Sequence, residues 1–167
     1  MDAAQLKQVQ TPLKEKYKED AAAALITLKA KGRTGENISC KVDTGRAIAQ
    51  AGLHPATGGD GSLLCSGDML LEALVACAGV TLSAVATAIG VRIDEGNIEA
   101  EGDLDFRGTL GVSKEAPVGF RAIRLNFRLS SDATEEQMSS LMKLTERYCV
   151  VYQTIAKGVP VEIIKTA

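Results

Sequence analysis

The sequence predicts a mixed α+β domain from the order and the periodicity of its segments. Strand-like segments lie on both sides of a long apolar stretch, residues 69–91, and an amphipathic helix follows near the C-terminus. Helices and strands do not alternate regularly, as they would in a doubly wound sheet. With 167 residues, 46% of them hydrophobic, the chain has the size of one domain with its own core.

The N-terminal part predicts a polar helix, a hairpin and a loop. Residues 11–24 have a threonine cap, a proline in the first turn and good helix formers. Residues 25–30 and 38–42 have strand character, and the turn-like residues 31–35 between them predict a hairpin. Residues 52–61 are rich in glycine, as loops are. We expect a helical extension over residues 1–24 and a single domain over residues 25–167.

The apolar stretch predicts a helix buried at the centre of the fold. Ser66 is the expected N-cap, Asp68 lies in the first turn where an acid complements the helix dipole, and the end is expected near Gly90. Residues 97–106 and 122–129 then predict two strands. The second alternates strictly between apolar and polar residues.

The C-terminal part predicts one long helix and a short strand. Thr134 opens a capping box, from which the helix is expected to run to about Lys157. Gly158 closes it. Residues 161–164 predict the last strand.

The charge balance argues against nucleic acid and anionic membranes as partners. The chain has 19 basic and 21 acidic residues, a net charge of −2. The first residues lack the apolar core of a secretory signal, so we expect a cytoplasmic protein. Residues 69–91 are long enough to span a bilayer, but Glu72 and several small residues favour a helix buried in protein.

Four cysteines offer the clearest chemistry. They form no C-x-x-C pattern and there is a single histidine, so no zinc site and no cofactor are predicted. Cys77 lies in the apolar helix and Cys149 in the last helix. Each is either a buried apolar filler or a reactive thiol. Cys40 shares a strand face with Ile38 and Val42 and is expected in the core.

Other polar residues leave alternatives open. Glu72, in its apolar helix, must be paired, change its pKa or face an interface. Arg33 and Arg46 lie in glycine-containing turns, where a guanidinium could lower the pKa of a nearby thiol or simply be a surface residue. His54 could serve Cys77 as a base, but no sequence feature places the two together.

The two cysteine segments together resemble the OsmC/Ohr family of peroxide-reducing proteins. Residues 69–77 read MLLEALVAC, with leucine and alanine leading to the first cysteine, and residues 148–155 read YCVVYQTI around the second. The resemblance covers residues 25–167. It implies an OsmC-like fold, in which two long central helices pack against antiparallel sheets in an intertwined homodimer.

The resemblance also implies a reaction. Cys77 would be the peroxidatic thiol, oxidised by an organic hydroperoxide to a sulfenic acid, and Cys149 the resolving thiol that forms a disulfide with it. Apolar helices around the thiol would suit an alkyl group. An external dithiol must then reduce the disulfide, and the family suggests a lipoylated protein.

The supporting residues of the family map onto this chain in more than one way. Its arginine corresponds to Arg33 by the Gly-Arg-x-Gly pattern, or to Arg46 by position. The local acids are Asp68 and Glu72, because Ser-Gly-Asp stands where many members have Ser/Asn-Pro-Glu. Val150 replaces a familiar proline.

Two points remain open at this level. Cys65, just before the long helix, is a possible second disulfide partner if it is exposed. The alternative function is a dimer of the same fold, without turnover, that binds a small apolar ligand or senses oxidants.

Overall fold

The computed structural model describes residues 2–19, 31–35, 39–43, 48–111 and 113–165. The helices in this part of the chain are α1 (Ala3–Glu19), α2 (Ser66–Ile89), α3 (Phe106–Thr109), α4 (Glu135–Tyr148) and α5 (Val150–Lys157). The strands are β1 (Lys31–Gly35), β2 (Ser39–Asp43), β3 (Ile48–Gly52), β4 (Leu64–Cys65), β5 (Ile93–Leu104) and β6 (Phe120–Ser131). A 3-10 turn, Pro55–Thr57, lies in the predicted glycine-rich loop. This architecture confirms the predicted mixture of helices and small antiparallel sheets.

The first helix begins earlier than predicted. Asp2 and Gln5 form a capping box, because the Asp2 carboxylate accepts the Gln5 N–H at 2.8 Å and the Gln5 side chain accepts the Asp2 N–H at 3.0 Å. This pair places the start of α1 at Ala3, whereas the sequence pattern indicated Thr11. Residues 20–24, the end of the predicted helix, lie outside the described part.

Strands β1 to β4 form one sheet in chain order, antiparallel except that β4 runs parallel to β3. The strand predicted at residues 38–42 corresponds to β2. The turn predicted at residues 31–35 is wrong, because that segment is β1 and pairs with β2 from Lys31↔Asp43 to Gly35↔Ser39. Turn-forming glycines misled the prediction, since backbone pairing needs no particular side chain. The strand predicted at residues 25–30 lies outside the described part.

Strands β5 and β6 pair as a two-stranded ribbon. Ion pairs cross it from Arg124 to Asp103 at 2.6 Å and from Arg128 to Glu99, so residue numbers fall on one strand as they rise on the other. The predicted strands therefore exist, and both are longer than the pattern indicated. Phe106 belongs instead to α3, which Asp105 caps by accepting the Arg107 N–H.

Helix α2 has the predicted bounds but not the predicted burial. It begins at Ser66 and ends before Gly90, whose φ of 73° suits glycine. Its buried residues repeat every four positions, so they form one stripe: Leu74, Ala78, Leu82 and Ala86. Val80 on another face is 72% exposed. The expectation of a helix buried all round is thus wrong for the single chain, since only one stripe of the helix is fully buried.

By length and composition alone, α2 could also cross a membrane. The same test is passed by the core helices of soluble proteins, so it carries little weight for a helix with a packed stripe.

The last predicted helix is two helices. The capping box is present, with the Thr134 side chain accepting from the Gln137 N–H and the Gln137 side chain accepting from the Thr134 N–H. Helix α4 stops at Tyr148, because Cys149 has an extended backbone with φ −73° and ψ 107°. Helix α5 then starts at Val150, so the predicted single helix to Lys157 is wrong.

The chain divides into two compact units. The first comprises Met1–Lys7, Ala73–Glu99 and Asn126–Ala167, and the second Gln8–Glu72 and Ala100–Leu125. The core of the first unit is built around Leu82, Ala86, Val91 and Leu141. The strand predicted at residues 161–164 is absent, since this segment pairs with no strand of the described chain, and Ile163 is 94% exposed.

Candidate functional site

Cys149 lies at the break between α4 and α5 and is only 1% exposed. Its N–H donates to the Thr145 carbonyl at 3.0 Å and its carbonyl accepts from the Gln153 N–H at 2.9 Å. The residue therefore ends one helix and begins the next. The first N–H groups of α5 have no carbonyl partner within the helix, as at every helix start.

A clamp holds the two helices at this break. The Gln153 side chain donates to the Glu146 carbonyl at 2.8 Å, and the Tyr152 hydroxyl donates to the Glu146 carboxylate at 3.2 Å. Burial and this hydrogen bond raise the pKa of Tyr152. Glu146 on α4 is therefore tied to two consecutive residues of α5, and the position of Cys149 between them is fixed.

Cys77, in the middle of α2, is half-buried and its sulfur faces this break. Burial alone would raise the pKa of Cys77. The N–H of Val151, the thiol of Cys149 and the N–H of Val150 outweigh it by donating to the Cys77 sulfur. The Thr81 hydroxyl contributes in the same direction. The net effect is a pKa below the ordinary value of a thiol, as is common where a cysteine meets a helix N-terminus.

Cys149 behaves in the opposite way. Its burial raises the pKa, and its hydrogen bond to Cys77 raises it further, although the N–H of Tyr152 opposes the change. The pair thus separates into one sulfur that ionises readily and one that stays protonated and donates. Both are free thiols. This arrangement can support nucleophilic attack by Cys77 and disulfide formation with Cys149.

The other predicted site residues that the structure describes belong to the second unit. Arg33 lies in strand β1 opposite Lys41, so the Gly-Arg-x-Gly turn expected around it is wrong. Arg46 lies outside the described residues. Asp68 and Glu72 are in the first two turns of α2, Glu72 on an exposed face, and neither forms an ion pair within the described ranges. Which arginine and which acid support the thiolate therefore stays a prediction.

Cys65 and His54 line a separate open cavity of about 370 Å³ in the second unit, together with Asp68 and Phe120. His54 is tied into its loop, because its Nδ1 accepts the Ala56 N–H at 3.0 Å and its ring stacks on Phe106 at 4.8 Å. Cys65 is half-buried on this wall. The side chain of Cys40 is outside the description.

Sequence reasoning missed Thr81 and the N–H groups of Val150 and Val151. One signal was available, since the familiar proline of the family could not have donated from position 150. Without knowledge of the helix break, however, nothing indicated that this donor would meet Cys77. Across the described ranges, no group of three or more His, Cys, Asp or Glu side chains is placed to hold a metal ion.

Comparison with known proteins gives a consistent result. None of the curated proteins matches the chain. An OsmC-like protein from Mycoplasma pneumoniae is similar in structure, with a TM-score of 0.66 and 18% identity over 80% of this chain and 89% of the other. An organic hydroperoxide resistance protein OsmC from Legionella pneumophila gives 0.61 and 17% over 78% and 90%.

The organic hydroperoxide resistance protein of Bacillus subtilis gives a TM-score of 0.52 and 21% identity over 80% of this chain and 92% of the other. At these identities the similarity shows the fold. The family model described as OsmC-like protein matches residues 59–164, more than half of the sequence. The chain therefore belongs to the OsmC family.

Proposed function

We propose that the protein is a thiol-dependent peroxidase that reduces organic hydroperoxides through Cys77 and Cys149. The observation that carries the proposal is the contrast within the cysteine pair. The pKa of the half-buried Cys77 is lowered by hydrogen bonds from the Cys149 thiol and from the start of α5, while the pKa of the buried Cys149 is raised.

In the first step the thiolate of Cys77 attacks the terminal oxygen of the hydroperoxide. The S–O bond forms as the O–O bond breaks, and two electrons pass from sulfur to the leaving alkoxide. The alkoxide takes up a proton and leaves as an alcohol. Cys77 is thereby oxidised to a sulfenic acid.

In the second step the sulfur of Cys149 attacks the Cys77 sulfur, and the sulfenic oxygen leaves as water. The product is a Cys77–Cys149 disulfide. An external dithiol supplies the two electrons and two protons that restore both thiols. A lipoylated protein is the reductant we propose, because its two thiols can close their own ring after a single exchange.

Apolar groups near the pair favour an alkyl hydroperoxide. Val80 lies on α2 close to one turn from Cys77, and Val150 follows Cys149 directly; both are largely exposed. Such side chains can contact an alkyl group but offer nothing to a small polar peroxide. The names of the Legionella and Bacillus relatives, which describe organic hydroperoxide resistance, agree with this substrate class.

The proposal includes a guanidinium and a carboxylate that support the thiolate and the leaving oxygen. Arg33 or Arg46 would supply the first, and Asp68 or Glu72 would orient it. Arg33→Gln and Arg46→Gln separate the two arginines. The variant whose peroxidase rate falls at a pH where Cys77 is fully ionised identifies the arginine that supports the reaction.

A homodimer is part of the same proposal. Large apolar residues are exposed on α2 and in the segment after α5; they are Leu70, Val80, Ile89, Val159, Val161, Ile163 and Ile164. Exposed apolar surface of this extent is typical of an interface. A second copy would cover it, and sedimentation of the free protein measures this directly.

The test is a titration of the reduced protein with cumene hydroperoxide, followed by thiol counting and peptide mapping. Loss of two thiols per peroxide, mapped to Cys77 and Cys149, supports the proposal. Thiols that survive an excess of peroxide would contradict it. They would favour a dimer that binds a small apolar ligand without turnover.

A further inference from the structure

Among the described residues, one buried hydroxyl, one helical turn before Cys149, has no hydrogen-bond partner. Thr145 is 2% exposed, and its Oγ1 has no partner within the described residues. Two other helical hydroxyls in the first unit bond the preceding turn. Ser83 donates to the Gly79 carbonyl at 3.0 Å, and Thr87 to the Ser83 carbonyl at 2.8 Å. An unbonded buried hydroxyl destabilises a fold, so its presence needs a reason.

Thr145 occupies a defined place between two known contacts. Leu141, Thr145 and Cys149 follow one another at intervals of one helical turn, and all three are buried. Leu141 packs in the core with Leu82 of α2, and Cys149 bonds Cys77 of α2. The contact points run in opposite directions along the two helices. Thr145 therefore lies about one turn from the cysteine pair, on the side of the core.

In the dithiol state the pair satisfies itself, because Cys149 donates to Cys77. Oxidation adds an oxygen to Cys77. Negative charge builds on the leaving alkoxide, while the hydroxyl oxygen that stays on Cys77 is a new hydrogen-bond acceptor beside a buried thiol. Cys149 cannot both keep its proton to donate to this acceptor and attack the sulfur.

We propose that the Thr145 hydroxyl donates a hydrogen bond to the oxygen that Cys77 takes from the peroxide. It has no partner among the described residues of the reduced protein, and it becomes bonded during oxygen transfer and in the sulfenic acid. The inference rests on the proposed peroxidase function and extends it by assigning a further residue of the reaction. A merely structural threonine at this place would have used its hydroxyl in the reduced state.

The test uses the full chain with Cys149→Ala, in which no disulfide follows the first oxygen transfer to Cys77. The rate of Cys77 oxidation by cumene hydroperoxide is measured against pH in this background, alone and with Thr145→Val. We expect the plateau rate at high pH to fall by about two- to tenfold, the effect of losing one hydrogen bond to the transferred oxygen. The midpoint of the pH profile should stay in place.

Three comparisons complete the test. Thr145→Ser should restore most of the rate, and Thr87→Val, which removes a hydroxyl already bonded within α2, should leave it unchanged. In the reduced state Thr145→Val should unfold at the same or higher denaturant concentration, so misfolding would not explain a slower rate. An unchanged plateau rate in Thr145→Val overturns the inference while leaving the peroxidase proposal standing. A Cys149→Ala protein that does not react with peroxide at all removes both.

Discussion

Two cysteines in this molecule stand directly before a helix, and their surroundings differ. Cys65 precedes α2 and lies half-buried on the wall of an open cavity. Cys149 precedes α5, is fully buried and hydrogen-bonds a second thiol. The N–H groups of α5 act on Cys77 across the contact. The N–H groups at the start of α5 therefore act on a thiol because packing brings Cys77 to them.

The largest expected effect on peroxide turnover distinguishes the Cys77–Cys149 pair from Cys65. Cys77→Ser should lower peroxide consumption by at least roughly a thousandfold, as loss of a nucleophile does, whereas Cys65→Ser should keep it. Steady-state turnover of cumene hydroperoxide with a dithiol reductant measures both. An equal loss of turnover in the two variants would show that Cys65 takes part in the reaction.

Removal of Cys149 should stop cycling but not the first oxidation. Cys149→Ser should form a Cys77 sulfenic acid with the first peroxide and then, with each further peroxide, accumulate Cys77 with two or three oxygens, because no thiol condenses with the sulfenic acid. Mass spectrometry of the intact protein after a peroxide titration follows this series. Continued turnover at the original rate would mean that a different thiol resolves the intermediate.

The pH dependence should show the lowered pKa of Cys77. Its alkylation by iodoacetamide, mapped by peptide analysis, should rise with pH around a midpoint below that of the same cysteine in the unfolded chain. Since folding favours the ionised form, its stabilising contribution is present above the unfolded pKa and is lost as the pH falls through the folded pKa. A folded midpoint at or above the unfolded one contradicts the assignment.

The smallest effect concerns a single N–H. Val150→Pro removes one donor to Cys77, and proline is well tolerated at the first position of a helix. The extended backbone of Cys149 also suits a residue before proline. The peroxidase rate near neutral pH should fall by about two- to tenfold, the worth of one hydrogen bond, and should recover at high pH. Val150→Ala is the matched control and should keep the rate.

Long periodic segments were predictable, and chain breaks were not. The bounds of α2 and the strict alternation of β6 could be read from the local pattern of apolar and polar side chains. The break at Cys149 has no glycine or proline to announce it. Val150 and Val151 are only mildly unfavourable in a helix. The missing strand at residues 161–164 fails for another reason, because a strand needs a neighbour and the described part of the chain does not supply one.

The candidate site divides in the same way. The resemblance selected Cys77 and Cys149, and packing brings them together. The hydroxyls of Thr81 and Thr145 could not be found from the sequence, because threonines in helices usually bond their own backbone. Arg33 shows the converse, since a turn pattern assigned it a place that backbone pairing in β1 does not support.

The clamp at Glu146 also bears on how much peroxide the protein can tolerate. Two hydrogen bonds fix α5 to α4 on either side of Cys149. The loss of entropy on ordering the Cys149 sulfur therefore occurs when the chain folds and not during the reaction. In the proposed cycle, attack by Cys149 on the Cys77 sulfenic acid competes with oxidation of that sulfenic acid by a second peroxide. The first reaction is intramolecular, so the effective concentration of Cys149 is very high. Inactivation would begin only at peroxide concentrations at which overoxidation of Cys77 is faster than disulfide formation with Cys149. Loosening the clamp with Glu146→Ala would lower that threshold dose without touching either cysteine.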